Sequence, residues 1–162
     1  MILSVFTLFH VVLSLVGIGS GFVVVYGLLA SKRFEGWTKL FLTTTVATSV
    51  TGFLFPFHQF LPSHGAGILS LIVLALATAA RYRFRLEGGW RRTYVLSAII
   101  ALYLNVFVLI AQLFMKVTSL KAIAPTQSEP PFEVTQLIAL LCFAVLAIRA
   151  AITFRNEPLR AA

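Results

Sequence analysis

Three histidines are the residues of this chain best suited to chemistry inside a membrane. His10, His58 and His64 all fall near one end of the predicted helices, and no histidine falls near the other end. Ionisable side chains are costly to bury in hydrocarbon, so an intramembrane histidine is a candidate functional residue by default. A neutral imidazole is also a common metal ligand and an axial ligand of haem iron. The histidines therefore predict a site at one end of the protein.

Two glutamines extend this predicted site. Gln112 lies about one helical turn from the end of the fourth apolar segment, and Gln136 lies at a similar depth in the fifth. Asn105 shares a helix face with Gln112 because the two are seven residues apart. We predict that His10, His58, Gln112 and Gln136 bind a cofactor or other ligand. If the ligand is a metal ion, the predicted metal ligands are His10, His58 and His64.

The sequence leaves three kinds of ligand open. Haem b would use two histidines at equal depth on different helices, but neighbouring helices about 8–10 Å apart are too close to hold a haem between them. A metal ion shared by three histidines needs less room, although tetrahedral geometry requires a fourth ligand or water. A quinone-like molecule would use a histidine and a glutamine as hydrogen-bond partners for its carbonyls. No motif specific to any of the three is present.

One face of the first apolar segment carries His10, Ser14, Gly17 and Gly21. Gly17 and Gly21 form a small-xxx-small motif, which allows another backbone or a flat ligand to approach closely. The motif is common in membrane helices, so plain helix packing and ligand binding are both compatible with it. The histidine at one end of the same face is what favours a ligand.

The depth of the histidines follows from the position of the first turn. A hairpin that turns near Gly36 would place His10 and His58 within a residue or two of the same level. His64 would lie just outside, at the water boundary, where an imidazole is solvated at little cost. We therefore expect His10 and His58 to matter more than His64. No comparable polar layer is expected at the opposite end, where Arg149 can snorkel.

The elements that must position these residues are membrane-spanning helices. The chain is 59% hydrophobic and 11% charged, and five apolar segments approach the ~20 residues that cross ~30 Å of hydrocarbon as a helix. The third is short and needs Tyr82 and snorkelling arginines to complete its crossing. None shows the sustained alternation of a β-barrel strand. The prediction is one all-α transmembrane domain over residues 1–162, with spans near 3–30, 39–61, 65–82, 93–115 and 133–154.

The basic residues predict how the chain is oriented. Eleven of the thirteen lysines and arginines fall on one side of this arrangement, and only Lys116 and Lys121 fall on the other. The positive-inside rule then places the N-terminus in the periplasm and the C-terminus in the cytoplasm. The net charge of +8 is explained by topology and lipid head groups, so no nucleic-acid partner is expected. The single Cys142 excludes a disulfide framework.

No enzyme class is indicated. Aspartate is absent, and the sequence contains no nucleophile-elbow, zinc-protease or phosphate-binding motif. A redox role stays open through the haem and quinone alternatives. A different class of function is an accessory subunit that packs against other membrane subunits, or against copies of itself, and binds nothing of its own. The proline-rich loop near residues 117–132 is either a connector or a lid over the site.

Three strings carry a resemblance to known sequences: FPFH at 55–58, LNVF at 104–107 and APTQSEPPF at 124–132. They resemble an uncharacterised family of small bacterial polytopic inner-membrane proteins, and the resemblance covers most of the chain. It implies location in the bacterial inner membrane. It implies no activity, cofactor or site.

Overall fold

The computed structural model describes residues 2–55 and 62–155, and within these ranges every regular element is helical. The all-helical prediction is therefore confirmed for the described part of the chain. The α-helices are α1 (Ile2–Leu29), α2 (Glu35–Gly52), α3 (Pro62–Thr78), α4 (Trp90–Lys116), α5 (Thr118–Ile123) and α6 (Pro130–Thr153). A five-residue π-helical segment, Ala79–Arg83, continues α3.

Four helical segments are long and apolar enough to cross a membrane: Ser4–Leu29, His64–Arg83, Trp90–Lys116 and Pro130–Thr153. They correspond to the first, third, fourth and fifth predicted spans. Their outward faces are strongly apolar, and α6 alone exposes eight large aliphatic side chains. Hydrocarbon-facing surfaces of this extent are typical of a membrane protein, because a soluble protein rarely exposes such contiguous apolar area. The structure thus supports a multi-pass membrane protein.

The second predicted span differs from the helix that the structure contains. We expected a crossing over residues 39–61, whereas α2 ends at Gly52 and is not among the apolar spans. Hydroxyl residues make α2 too polar, and two of them, Thr44 and Thr51, return a hydrogen bond to their own helix. Thr44 Oγ1, for example, donates to the Leu40 carbonyl at 2.7 Å. This local pairing lets threonines lie in a helix interior without leaving a polar group unsatisfied.

The turn between α1 and α2 comes earlier than the sequence suggested. Ser31, at a φ of 54°, ends α1, and the Lys32 amide donates to the Gly27 carbonyl at 2.8 Å. This is a Schellman arrangement, with serine in the left-handed position that glycine usually fills. The turn therefore centres about five residues before Gly36.

The early turn shifts the pairing of α1 with α2. His10 pairs with Thr51, Gly17 lies beside Thr44 and Thr45, and Gly21 lies beside Phe41. At the level of His10, α2 presents Thr51, and the expected pairing of His10 with His58 at one depth stays a prediction. His58 and Pro56 lie outside the described residues.

Helix α4 is the centre of the bundle. It contacts α1, α2, α3 and α6, and half of the residues in its most apolar stretch are buried. Small residues on its inner faces, including the fully buried Ala98 and Ala101, allow this close approach of several helices. Because α4 runs the length of the bundle, from Trp90 to Lys116, it contributes side chains at both ends.

Candidate functional site

A cavity of about 510 Å³ lies at the end of the bundle that contains His10 and His64, which we call the histidine end. This volume is within the range of about 300–1,000 Å³ typical of small-molecule sites. Helices α1 to α4 and the segment after α2 contribute to its wall. The polar part of the wall is Thr7, His10, Ser14, Thr48, Ser49, His64, Ser70, Asn105, Gln112 and Lys116, and the rest is apolar or glycine.

The structure brings together some of the residues predicted to form the site and separates others. His10, His64 and Gln112 all line the cavity, as does Asn105. Gln136 does not: its Nε2 donates to the Phe107 carbonyl at 3.1 Å between α6 and α4. The fourth predicted residue, His58, lies outside the described part of the chain. The predicted cofactor-binding set is thus split by the packing of α6 on the far side of α4.

The orientation of His10 is fixed by two contacts. Its Nδ1 lies 2.8 Å from Thr51 Oγ1 on α2. Its ring also meets the edge of Phe55 at 87°, with the ring centres 5.1 Å apart. A hydrogen bond on one nitrogen and an aromatic contact on the ring together restrict the imidazole to one orientation. The other nitrogen, Nε2, has no partner among the described residues.

His64 is buried rather than solvated. Only 9% of it is exposed, and its ring lies against Phe53 with the centres 6.0 Å apart. The expectation that His64 sits in water at the membrane boundary is therefore wrong. The cause is that α3 begins at Pro62, so His64 is already within its first turn and faces α2.

Thr48 is a polar residue of the cavity wall whose hydroxyl lacks a partner in the described part of the chain. Its residue is 7% exposed, and its Oγ1 is buried without a hydrogen-bond partner among the described residues. A buried hydroxyl without a partner costs about 1–3 kcal/mol. Thr48 borders the cavity, but its Oγ1 exposes less than 1 Å² of surface, so other atoms of the residue form the wall.

The described residues contain no group of three histidine, cysteine or acidic side chains that could hold a metal ion. The predicted three-histidine site depends on His58, which is not described, so it stays a prediction. Among the described residues of the cavity wall there is no carboxylate, and Lys116 is the one formally charged residue. This donor set fits a bare divalent cation poorly, because a nearby ammonium repels it.

The opposite end of the bundle, which we call the arginine end, holds a polar cluster that the sequence reasoning missed. Arg81 Nη2 contacts Glu35 Oε1 at 2.6 Å, and the Arg81 side chain is only 6% exposed. Its guanidinium also lies 5.2 Å from the ring centre of Tyr94. The expectation of no polar layer at this end is therefore wrong.

Helical spacing contained the signal for this cluster. Leu74, Ala77 and Ala80 are buried at intervals of three residues, and Arg81 continues that buried face. Arg81 was expected to snorkel outwards, but the π-helical turn keeps it inside the bundle. A π-helix has between four and five residues per turn, whereas an α-helix has between three and four. The π-helical segment therefore points Arg81 in a different direction from the one that a continuous α-helix would give. Within the cluster, Arg81 has a charge partner in Glu35 and an aromatic contact in Tyr94.

The loop after α5 does not close the cavity. Gln127 Nε2 donates to the Ala111 carbonyl at 2.6 Å, which ties the loop to α4. The pKa of Glu129 is lowered: desolvation would raise it, but hydrogen bonds from the side chain and amide of Thr126 and the amide of Ser128 outweigh that effect. No described residue of this loop lines the cavity wall. The connector interpretation therefore fits better than a lid.

Comparisons with known proteins give no match to a family model, to a curated protein or to a solved structure. The resemblance to a bacterial membrane family is thus untested and stays a prediction. Function has to be argued from the cavity.

Proposed function

We propose that this protein is an integral membrane protein that binds a small, flat, quinone-like ligand in the cavity at its histidine end. The observation that carries the proposal is a cavity of about 510 Å³ whose mostly apolar wall contains the polar side chains of His10 and Gln112. Binding sites combine a mostly apolar wall with a few convergent polar groups. Both parts are present here.

The composition of the wall favours a quinone-like ligand over haem. Five hydroxyls and two amides line the cavity: Thr7, Ser14, Thr48, Ser49, Ser70, Asn105 and Gln112. The apolar macrocycle of a haem offers few hydrogen bonds to such a wall, and within its described part Lys116 is the one cation that would meet the two propionates. A ring with oxygen atoms at both ends matches apolar walls and scattered hydrogen-bonding groups better.

We further propose that the protein lies in a bacterial inner membrane with the histidine end towards the periplasm. The support is the excess of lysine and arginine near the arginine end, which the positive-inside rule assigns to the cytoplasm. Four apolar helices give four crossings. A fifth crossing requires that α2, apart from its first turn, also lies within the bilayer. Its pairing with α1 from Phe34 beside Gly27 to Thr51 beside His10 supports this, because the paired length is about 26 Å.

Cysteine labelling from outside intact cells tests this orientation. Ser128→Cys and Glu87→Cys, each in a Cys142→Ser background, place one exposed thiol near each end of the bundle. We expect an impermeant maleimide to label Ser128→Cys and to leave Glu87→Cys unlabelled until the cells are opened. Labelling of both from the same side would contradict the proposal.

Ligand binding is tested with the purified full chain and a short-chain benzoquinone, added in oxidised and in reduced form. A ligand that binds only the folded state stabilises it, by about 2.7 kcal/mol at a concentration of 100 Kd. We expect at least one form to raise the melting temperature. Gln112→Ala should weaken binding, whereas the matched control Gln136→Ala, outside the cavity, should leave the Kd unchanged.

Two further outcomes of the same experiment would contradict the proposal. A Soret band in the visible spectrum of the purified protein would identify the ligand as haem. Failure of both quinone forms to bind would favour the accessory-subunit alternative, in which the histidine end contacts another membrane protein.

A further inference from the structure

The hydrogen bonds of Thr51 determine which nitrogen of His10 carries the proton. Thr51 Oγ1 lies 2.7 Å from the Ala47 carbonyl and 3.2 Å from the Thr48 carbonyl. Two oxygens at 2.7 Å repel unless a proton lies between them, so the single hydroxyl proton of Thr51 is donated to its own helix. The Thr51 oxygen can then only accept from His10.

The neutral His10 ring therefore carries its proton on Nδ1. Its Nδ1–H donates to Thr51 Oγ1 across 2.8 Å, and Nε2 is left with a lone pair. No described residue donates to Nε2, and His10 borders the cavity. The histidine thus acts as a hydrogen-bond acceptor towards the cavity, the opposite of the role that donation to a ligand carbonyl would require.

The rest of the wall is complementary to this acceptor. The Gln112 amide and the Lys116 ammonium supply N–H groups that can donate to a ligand oxygen, and the described wall contains hydroxyls and amides but no carboxylate. A matching ligand therefore has a hydroxyl to donate to His10 and an oxygen that accepts from the opposite wall. A hydroquinone has both on one ring, whereas its oxidised quinone has acceptors alone.

Resting on the proposed function, we infer that the cavity selects the reduced form of its ligand, a hydroquinone whose hydroxyl donates to His10 Nε2. Thr51 is the positioning residue, because it holds the imidazole proton on the nitrogen that faces away from the ligand. This discrimination depends on the α1–α2 register, which sets His10 opposite Thr51.

The test measures the affinities of three probes for the purified full chain under anaerobic conditions. The probes are a short-chain benzohydroquinone, its dimethyl ether and the corresponding quinone. The ether keeps the ring and its oxygens but cannot donate. Because one hydrogen bond to a neutral group is at stake, we expect the hydroquinone to bind about three- to tenfold tighter than either of the others.

Thr51→Val tests whether the hydrogen bond that Thr51 accepts from His10, and not only the shape of the cavity, determines the preference for the hydroquinone. Valine has the same size as threonine but cannot accept the Nδ1 proton, so the proton of His10 is free to move to Nε2 and the preference for the hydroquinone should disappear. Thr43→Val, an exposed change on the same helix, is the matched control and should retain it. The ¹⁵N spectrum of labelled histidine in the unaltered protein gives an independent reading: Nδ1 of His10 should appear protonated and Nε2 unprotonated.

The outcomes distinguish the two proposals. If none of the three probes binds, the proposed function fails. If the probes bind with equal affinity, if Thr51→Val leaves the preference unchanged, or if the spectrum shows the proton of neutral His10 on Nε2, this inference fails while the proposed function stands.

Discussion

Along one face of α1, Gly17 and Gly21 meet their neighbours in close contact, whereas His10 and Ser14, nearer the N-terminus, border the cavity. A Cβ atom at Gly21 would lie 2.6 Å from Leu102 Cδ1 and 2.9 Å from Phe41 Cε2. The same helix face is thus filled in its middle and hollow at its end. Small residues by themselves therefore do not indicate a site, because here they serve packing while larger polar residues border the empty space.

Arg81 at one end of the bundle and Lys116 at the other differ in how their charge is paired. At the arginine end, Arg81 is paired with Glu35 at 2.6 Å and stacked near Tyr94. At the histidine end, Lys116 lines the cavity and forms no ion pair with a described residue. Paired buried charge stabilises a unique arrangement, whereas polar groups without protein partners are available to a ligand. The predictions below test this contrast.

The largest effect is expected where the α1 face is filled. Gly21→Val should lower the free energy of unfolding by about 1–3 kcal/mol, because Leu102 and Phe41 are almost fully buried and cannot move aside. Gly19→Val is the control, since a Cβ at Gly19 meets nothing within 4 Å. Thermal unfolding in detergent measures both. Equal melting temperatures for the two variants would mean that the middle of this face is not close-packed.

A somewhat smaller effect is expected from the ion pair. Glu35→Ala leaves the buried Arg81 guanidinium without its counter-charge, and we expect a loss of about 1–2 kcal/mol, since the 57% exposure of the Glu35 side chain lets water replace part of the interaction. Glu87→Ala, an exposed change at the same end, is the control and should have almost no effect. Unfolding by heat or denaturant gives the comparison, and similar losses in both variants would contradict the assignment.

Acid should weaken the same ion pair. The hydrogen bond and charge of Arg81 lower the pKa of Glu35, and Arg33 and Lys39 add to this effect. Because the pKa is lower in the folded than in the unfolded state, the stabilisation is complete above the unfolded value of about 4.5 and is lost as the pH falls through the folded value. The difference in melting temperature between the unaltered protein and Glu35→Gln should shrink below that pH. A constant difference down to pH 3 would argue against an ionised pair.

The smallest effect is expected in the loop. Gln127→Ala removes the hydrogen bond to Ala111, so limited proteolysis should cut the loop faster while the melting temperature changes by little. Ligand affinity should stay the same, because the loop does not contribute a described residue to the cavity wall. Reduced affinity in this variant would restore the lid interpretation.

Much of the fold followed from hydropathy, and the failures have identifiable causes. Four apolar spans were recognised because length and composition decide whether a helix suits a bilayer. Helix α2 was placed too late because the Schellman turn at Ser31 is set by backbone geometry and carries no glycine to mark it. That error of five residues in the turn is why Thr51 was not expected at the level of His10.

The site was predicted in part for a related reason. Depth along a helix placed His10, His64 and Gln112 near one level, but depth does not specify which side of α4 a residue faces. Gln136 has a suitable depth, yet α6 packs on the far side of α4, where Gln136 bonds Phe107. The sequence does not indicate a partner for Thr51, because threonines in a helix usually bond their own backbone, and only the α1–α2 register shows that His10 meets Thr51.

The most direct test of the central claim is whether the histidine end is hollow and can be filled. Ser14→Cys and Ser20→Cys, each with Cys142→Ser, place a thiol on α1 in the cavity wall and in the packed middle, where Ser20 is 2% exposed. We predict that a small methanethiosulfonate reagent modifies Ser14→Cys, that a bound benzohydroquinone slows this reaction, and that Ser20→Cys does not react. Equal reactivity of the two thiols, or no protection of Ser14→Cys by saturating hydroquinone, would contradict the account.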